Sequence, residues 1–249
     1  MIPPRKFGFE LEVYNVVEKF ALVKSLPGFK YASDSSIRGL DSMELVSPIL
    51  TGENGLIQAR EAINQLKKYG AKVNKSCGLH VHIDMSEASL ESFKRICTRF
   101  IKFEPVFKKM VKKDRENNSY CRPNSECFES LEDAFSKINN AFSLQHLAYL
   151  VNPKDRYFML NCRSFWKHGT IEFRLKEATL DPEEVINWLT MLLIWVEDSI
   201  QIKTRLGKSN SQFDSLCAMM AAPKSYNQLS EPYRRQVYQY IQRKVKQKV

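Results

Sequence analysis

The chain has 249 residues, 43% of them hydrophobic, enough to bury a full core, and no stretch of it reads as a linker between two domains. Lysine and arginine outnumber acidic residues 38 to 28, for a formal charge of +10, so an anionic partner has to be weighed. The opening Met1–Lys6 carries no hydrophobic signal segment, and the longest apolar run, Trp188–Val196, is far shorter than the roughly 20 residues that cross a bilayer, so a cytoplasmic chain with no membrane partner is expected.

Arg5–Tyr14 alternates as a strand, with Phe7, Phe9, Leu11 and Val13 inward and Glu10 and Glu12 on the other face, roughly 6.5–7 Å apart. Ser42–Pro48 places Glu44 in a short apolar strand ended by its proline. Residues 53–69 space Leu56, Ala59, Ile63 and Leu66 as a helix that Gly70 stops. Cys77–Asp84 sets Leu79, Val81 and Ile83 on one face and His80, His82 and Asp84 on the other. Residues 87–113 are helical by spacing, and Pro105 is expected to break or kink them into a pair. The polar run from Arg115 to Cys127 reads as a long loop beside the site that could carry substrate contacts, or equally as plain surface.

Arg156–Arg163 sends Phe158, Leu160 and Cys162 one way and Asn161 and Arg163 the other. In Gly169–Leu175, Ile171, Phe173 and Leu175 back onto a core while Thr170, Glu172 and Arg174 face out together. Asp181-Pro182-Glu183-Glu184 then opens a buried helix with an N-cap, a proline at the first position and a capping-box glutamate. Gly207-Lys208-Ser209 resembles the end of a phosphate-binding loop, but Ile202 stands where its first glycine should be, so it reads as a helix end. The six cysteines form no Cys-x-x-Cys pair and read as reduced thiols.

Five strands with one apolar and one polar face could be a sheet wetted on one side. Such a face would favour Lys, Thr, Gln and Ser, whereas this one collects Glu10, Glu12, Glu44, His80, His82, Glu172, Arg163 and Arg174. Carboxylates about 4 Å apart repel by roughly 4 kcal/mol at an effective dielectric near 20, so the cluster asks for cations. Oxygen ligands with one or two histidines favour Mg²⁺ or Mn²⁺. The arginines are then explained by phosphate, which guanidinium groups clamp.

Phe7-Gly8-Phe9-Glu10-Leu11-Glu12, Asp34-x-Ser36 with Glu44-Leu45-Val46-Ser47-Pro48, Cys77-Gly78-Leu79-His80-Val81-His82, Arg156-Tyr157-Phe158-Met159-Leu160-Asn161, and Gly169-Thr170-Ile171-Glu172-Phe173-Arg174-Leu175 with Thr179-Leu180-Asp181 follow one another in an order that resembles the amidoligase family. That family belongs to the carboxylate-amine ligases with the glutamine synthetase-like catalytic fold. The likeness spans roughly residues 5 to 200 and implies an α+β fold: a mostly antiparallel, curved sheet, helices on its apolar face and ATP with two or three Mg²⁺ or Mn²⁺ ions on the concave one. It implies metal ligation by Glu10, Glu12, Glu44, His80 and Glu172, with His82 nearer the nucleotide. Arg174 would stabilise the phosphoryl group in flight, and Arg163 and Arg156 would contact phosphate or substrate carboxylate, Arg163 sharing the catalytic role.

The expected activity is therefore ATP-dependent amide formation between a carboxylate and an amine, on small-molecule or peptide substrates, by a single catalytic domain over 1–249 with a basic helical segment from about 210. A metal-dependent hydrolase or nuclease built on the same His and Glu residues is the alternative, and a noncatalytic nucleic-acid-binding protein is the third reading. The basic stretches, +4 over 102–115 and +6 from residue 224, fit solvated helix faces better than nucleic-acid binding. Relatives with the synthetase fold often assemble, so a homo-oligomer stays open.

Overall fold

Alternating apolar residues organise a mixed α+β chain, described by a computed structural model over residues 3–116, 118–201 and 231–246. In chain order the elements are β1 (Lys6–Val13), α1 (Lys19–Lys24), β2 (Lys30–Ala32), β3 (Met43–Val46), β4 (Leu50–Thr51), α2 (Gly52–Lys68), β5 (Gly78–Asp84), α3 (Leu90–Met110) and α4 (Lys113–Glu116). A 3₁₀ turn (Asn124–Cys127) follows, then α5 (Leu131–Asn139), α6 (Leu144–Val151), β6 (Leu160–Asn161), α7 (Ser164–His168), β7 (Thr170–Glu177), α8 (Pro182–Gln201) and α9 (Glu231–Lys246). The strands form one antiparallel sheet in the order β2-β3-β1-β5-β7-β6, with β4 beside the start of β1.

One face is apolar throughout its centre. Phe9, Leu11, Leu79, Val81, Ile83, Ile171 and Phe173 are almost wholly buried. Trp195 of α8 meets Phe173 edge-on at 5.9 Å between ring centres and Phe107 of α3 at 5.7 Å, so the two long helices close over the sheet. At about 1.5–3 kcal/mol per large buried side chain, this layer drives the fold and leaves the opposite face for chemistry. The end of α9 adds Val237, Tyr240 and Ile241 to the same core.

Three expectations need correcting. Pro105 does not divide 87–113: α3 runs unbroken through it, because Phe100, Phe103 and Phe107 are buried on both sides and their packing outweighs one lost backbone hydrogen bond. The strand expected over 156–163 shrinks to Leu160–Asn161, since Arg163 already caps α7. Glu184 is no capping-box residue. Asp181 alone caps α8, accepting the Glu183 amide at 3.0 Å, and Glu184 turns to Lys176 at 2.7 Å. The Gly207-Lys208-Ser209 stretch, Cys217 and residues 210–230 of the basic segment lie outside the described residues.

A bulge decides what β7 presents. Leu79 pairs with Lys176 but Val81 with Phe173, so Arg174 and Leu175 together oppose His80. The extra residue turns Lys176 away from the polar face and into the helix layer, where it is fully buried between Glu177 at 2.9 Å and Glu184 at 2.7 Å. Tyr240 and Lys244 of α9 converge on the same Glu184 oxygen, at 2.8 and 2.7 Å.

Candidate metal and phosphate site

Register brings the polar side chains together. Glu10 of β1 pairs with His80 of β5, Glu12 with Glu44 of β3, and His82 with Glu172 of β7, so four strands feed one patch. His80 sits in its middle, with Nδ1 at 3.5 Å from Glu10, 3.9 Å from Glu44 and 3.9 Å from Glu172, and Nε2 at 3.7 Å from Glu12. Nε2 of His82 lies 3.6 Å from Glu10 and 4.0 Å from Glu172. Two trios, Glu10–His80–Glu172 and Glu12–Glu44–His80, have ligand atoms close enough to share an ion each.

The donor set fits divalent cations. Nδ1 of His80 and Nε2 of His82 are buried and make no hydrogen bond. Two donors each about 2.1 Å from one ion stand about 3.0–4.2 Å apart, which is the spacing observed and longer than a hydrogen bond. Neighbouring groups hold the ligands in aim. Glu12 accepts the Gly78 amide at 2.5 Å, Glu172 accepts from Asn161 at 2.7 Å, and Nδ1 of His82 shares a hydrogen bond with Thr170 at 3.0 Å. Gly78 leaves little room there: a Cβ would stand 3.0 Å from side-chain nitrogens of both His80 and Arg115, which would have to give by a few tenths of an ångström.

The carboxylates titrate apart. Burial together with the charges of Glu10, Glu12 and Asp34 pushes Glu44 up to about 8. Burial opposes ionisation of Glu10, yet the two imidazoles hold it well below the usual carboxylate range. Glu172 is likewise lowered against its burial, by Arg174 and the imidazoles, and His82 is raised against its burial by Glu10 and Glu172. This alternation of ionised and protonated carboxyls marks a patch built for added positive charge.

Arg174 is buried and paired with Glu172, its guanidinium 5.7 Å from the Tyr157 ring. Arg156 lies over the same ring at 5.5 Å; burial works against its charge, which Tyr157 favours first and Glu172 and Glu10 after it. Both line a cavity of about 880 Å³ that also exposes Glu12, Glu44 and His80. Arg163 is not brought to the group: its guanidinium bonds the carbonyls of Asn152 at 2.7 Å and Pro153 at 3.1 Å.

Sequence reasoning missed Arg115, which it counted in a basic helix face. Arg115 is 3% exposed and reaches under the bulge, donating to the Arg174 carbonyl at 2.7 Å and the Leu175 carbonyl at 3.4 Å. The segment after it does border the cavity, through Asn118, Ser119 and Tyr120. Asp34, noted only as part of a motif, also lines it, near enough to Glu44 for its charge to act there.

A family model described as "Putative amidoligase enzyme" matches residues 17–196, so Glu44, His80, His82, Arg156, Glu172 and Arg174 fall inside the match and Glu10 and Glu12 before it. No curated protein matches the chain. Among solved structures, a bifunctional glutathione synthetase from Pasteurella multocida aligns with 98% of this chain and 48% of its own, at 12% identity and a TM-score of 0.41. The chain thus spans about half the length of that enzyme, and a likeness so loose says nothing of activity.

Proposed function

Because the chain belongs to the amidoligase family, we propose that it is an ATP- and Mg²⁺-dependent ligase that joins a carboxylate to an amine through an acyl phosphate. The observation that carries this reading is the pair of orphaned imidazole nitrogens ringed by four glutamates from three strands, with Arg174 beside them. A carboxylate is a poor electrophile. Attack by its oxygen on the terminal phosphorus of ATP, with departure of ADP, converts it into an acyl phosphate that an amine can open with loss of phosphate.

In this reading Glu10, Glu12, Glu44, His80 and Glu172 hold two or three Mg²⁺ or Mn²⁺ ions, whose part is to neutralise the polyphosphate and keep it in line. Arg174 faces the cavity from the bulge and stabilises charge on the transferring group, and Arg156 assists from the rim. His82, fixed through Nδ1 by Thr170 and Ser164, keeps Nε2 beside Glu10 and Glu172, and in this reading it would help hold the charge of the polyphosphate. One catalytic domain working in the cytoplasm on small-molecule or peptide substrates completes the proposal.

The test is incubation with ATP, Mg²⁺, hydroxylamine and a panel of carboxylic acids, since hydroxylamine traps an acyl phosphate as hydroxamate. Hydroxamate and ADP are expected together, and both vanish in Glu172→Ala and Arg174→Ala while the circular dichroism spectrum is kept. Turnover without ATP, or near wild type in either variant, would reject the assignment in favour of a metal-dependent hydrolase.

A further inference from the structure

The cavity beside the ions has a wall with no aliphatic side chain. Beyond Glu12, Glu44, His80, Arg156 and Arg174 it is lined by serines, Asn118, two tyrosines and five charged residues: Asp34, Arg38, Lys75, Asp114 and Arg115. An apolar acid or amine would gain nothing from burial here and would strip water from charges. The substrate that fits carries charges of its own.

The five charged residues do not stand equal. Arg115 is engaged with the Arg174 and Leu175 carbonyls. Arg38 and Lys75 are set side by side: the Arg38 amide donates to Ser76 at 2.8 Å and Asn74 donates to the Arg38 carbonyl at 2.5 Å, joining the two turns that carry them. Among the described residues no carboxylate lies within ion-pair distance of either. Asp34 is oriented by accepting the Ser36 amide at 2.7 Å with one oxygen, which leaves the other for the cavity. It follows β2, whose Ala32 pairs with Glu44, so it stands on the metal side of the cavity. The wall therefore offers an anion next to the candidate ions and a pair of cations beside it on the same rim.

We propose that the amine joined by this protein is an amino acid or short peptide held as a zwitterion, its ammonium on Asp34 and its carboxylate on Arg38 and Lys75. This rests on the ligase reading and supplies its acceptor. In the amide-forming step the nitrogen lone pair makes the C–N bond and the C–O bond to phosphate breaks. Of the two protons the ammonium sheds, one leaves on the phosphate and the other passes to water. A monoamine lacks the group that Arg38 and Lys75 hold, and a polyamine would meet them with like charge.

The full chain, supplied with ATP, Mg²⁺ and the carboxylic acid that gives hydroxamate, is offered in place of hydroxylamine the proteinogenic amino acids, glycylglycine, ethanolamine and spermidine. Amide is expected with at least one amino acid or with glycylglycine, and not with ethanolamine or spermidine. Arg38→Ala and Lys75→Ala, both at exposed positions, should each lower the amide-to-hydroxamate ratio about tenfold or more, the worth of one charge-assisted hydrogen bond. The decarboxylated analogue of the active amino acid should lose a similar factor in wild type and little further in Arg38→Ala. If hydroxamate forms but ethanolamine or spermidine is the better acceptor, or the ratio holds in both variants, the zwitterion is wrong and the ligase stands. If no hydroxamate forms across the acid panel, the ligase reading fails and the acceptor falls with it.

Discussion

Replacing Arg115 by alanine should disarm Arg174 without touching it. The 2.7 Å bond to the Arg174 carbonyl is charge-assisted and buried, worth about 1.5–3 kcal/mol, whereas the 3.4 Å contact to Leu175 sits at the edge of hydrogen-bonding range and adds little. Truncation also leaves buried carbonyls without a donor, so a loss of about 2–4 kcal/mol is expected out of the 5–15 typical of a folded chain. Urea denaturation should show this as a midpoint lowered by about 1 M, for a slope near 3 kcal/mol per M. Because the bulge sets where Arg174 lies, and a shift of about 1 Å at a reacting centre can cost about 100-fold, ADP formation should fall by about that factor under conditions where the variant is folded. Arg115→Lys keeps the charge but has no fork to bridge two carbonyls, so it should fall in between. A urea midpoint unchanged in Arg115→Ala, with ADP formation within about twofold of wild type, would refute the idea that this guanidinium holds the bulge.

Two further outcomes follow from buried charge. With Glu44 at about 8 in the fold against 4.5 outside it, the metal-free protein binds more protons folded than unfolded between those values, so its stability should decline as pH rises through that window. Mg²⁺ binding should displace that proton near pH 7 and displace none near pH 9, which calorimetry in buffers of different ionisation enthalpy will read; equal proton release at both would contradict it. Glu184→Ala leaves the fully buried Lys176 short of its partner and should cost about 3–5 kcal/mol in urea denaturation, while Lys176→Met with Glu184→Leu should recover most of it. A near-neutral single variant would show that Glu177 suffices.

Much of this architecture was legible because period-2 alternation reports directly on a half-buried sheet. Phe7 to Val13 and Leu79 to Ile83 point as their spacing requires, and antiparallel register then carries Glu10, Glu12, His80 and Glu172 to one patch. Alternation breaks at the Arg174–Leu175 bulge, which no pattern announces, and so Lys176 was not recognisable as a core residue. Arg163 reads as a site residue only if its strand continues, and the chain turns into α7 instead. Arg115 was hidden for another reason: a lone basic residue among lysines looks like surface, and only the tertiary fold puts carbonyls within its reach. Two of the short strands, β2 and β4, have too few residues for a period to show.

His80 has one ring and two groups of glutamates, with Nδ1 turned to Glu10, Glu44 and Glu172 and Nε2 to Glu12. A neutral imidazole owns a single lone pair, so the nitrogen that ligates forces its hydrogen onto the other, where it faces a carboxylate of the neighbouring trio. In the two-ion reading, the tautomer chosen by the first cation would set the field that greets the second, so the two positions would load as coupled equilibria rather than separate ones.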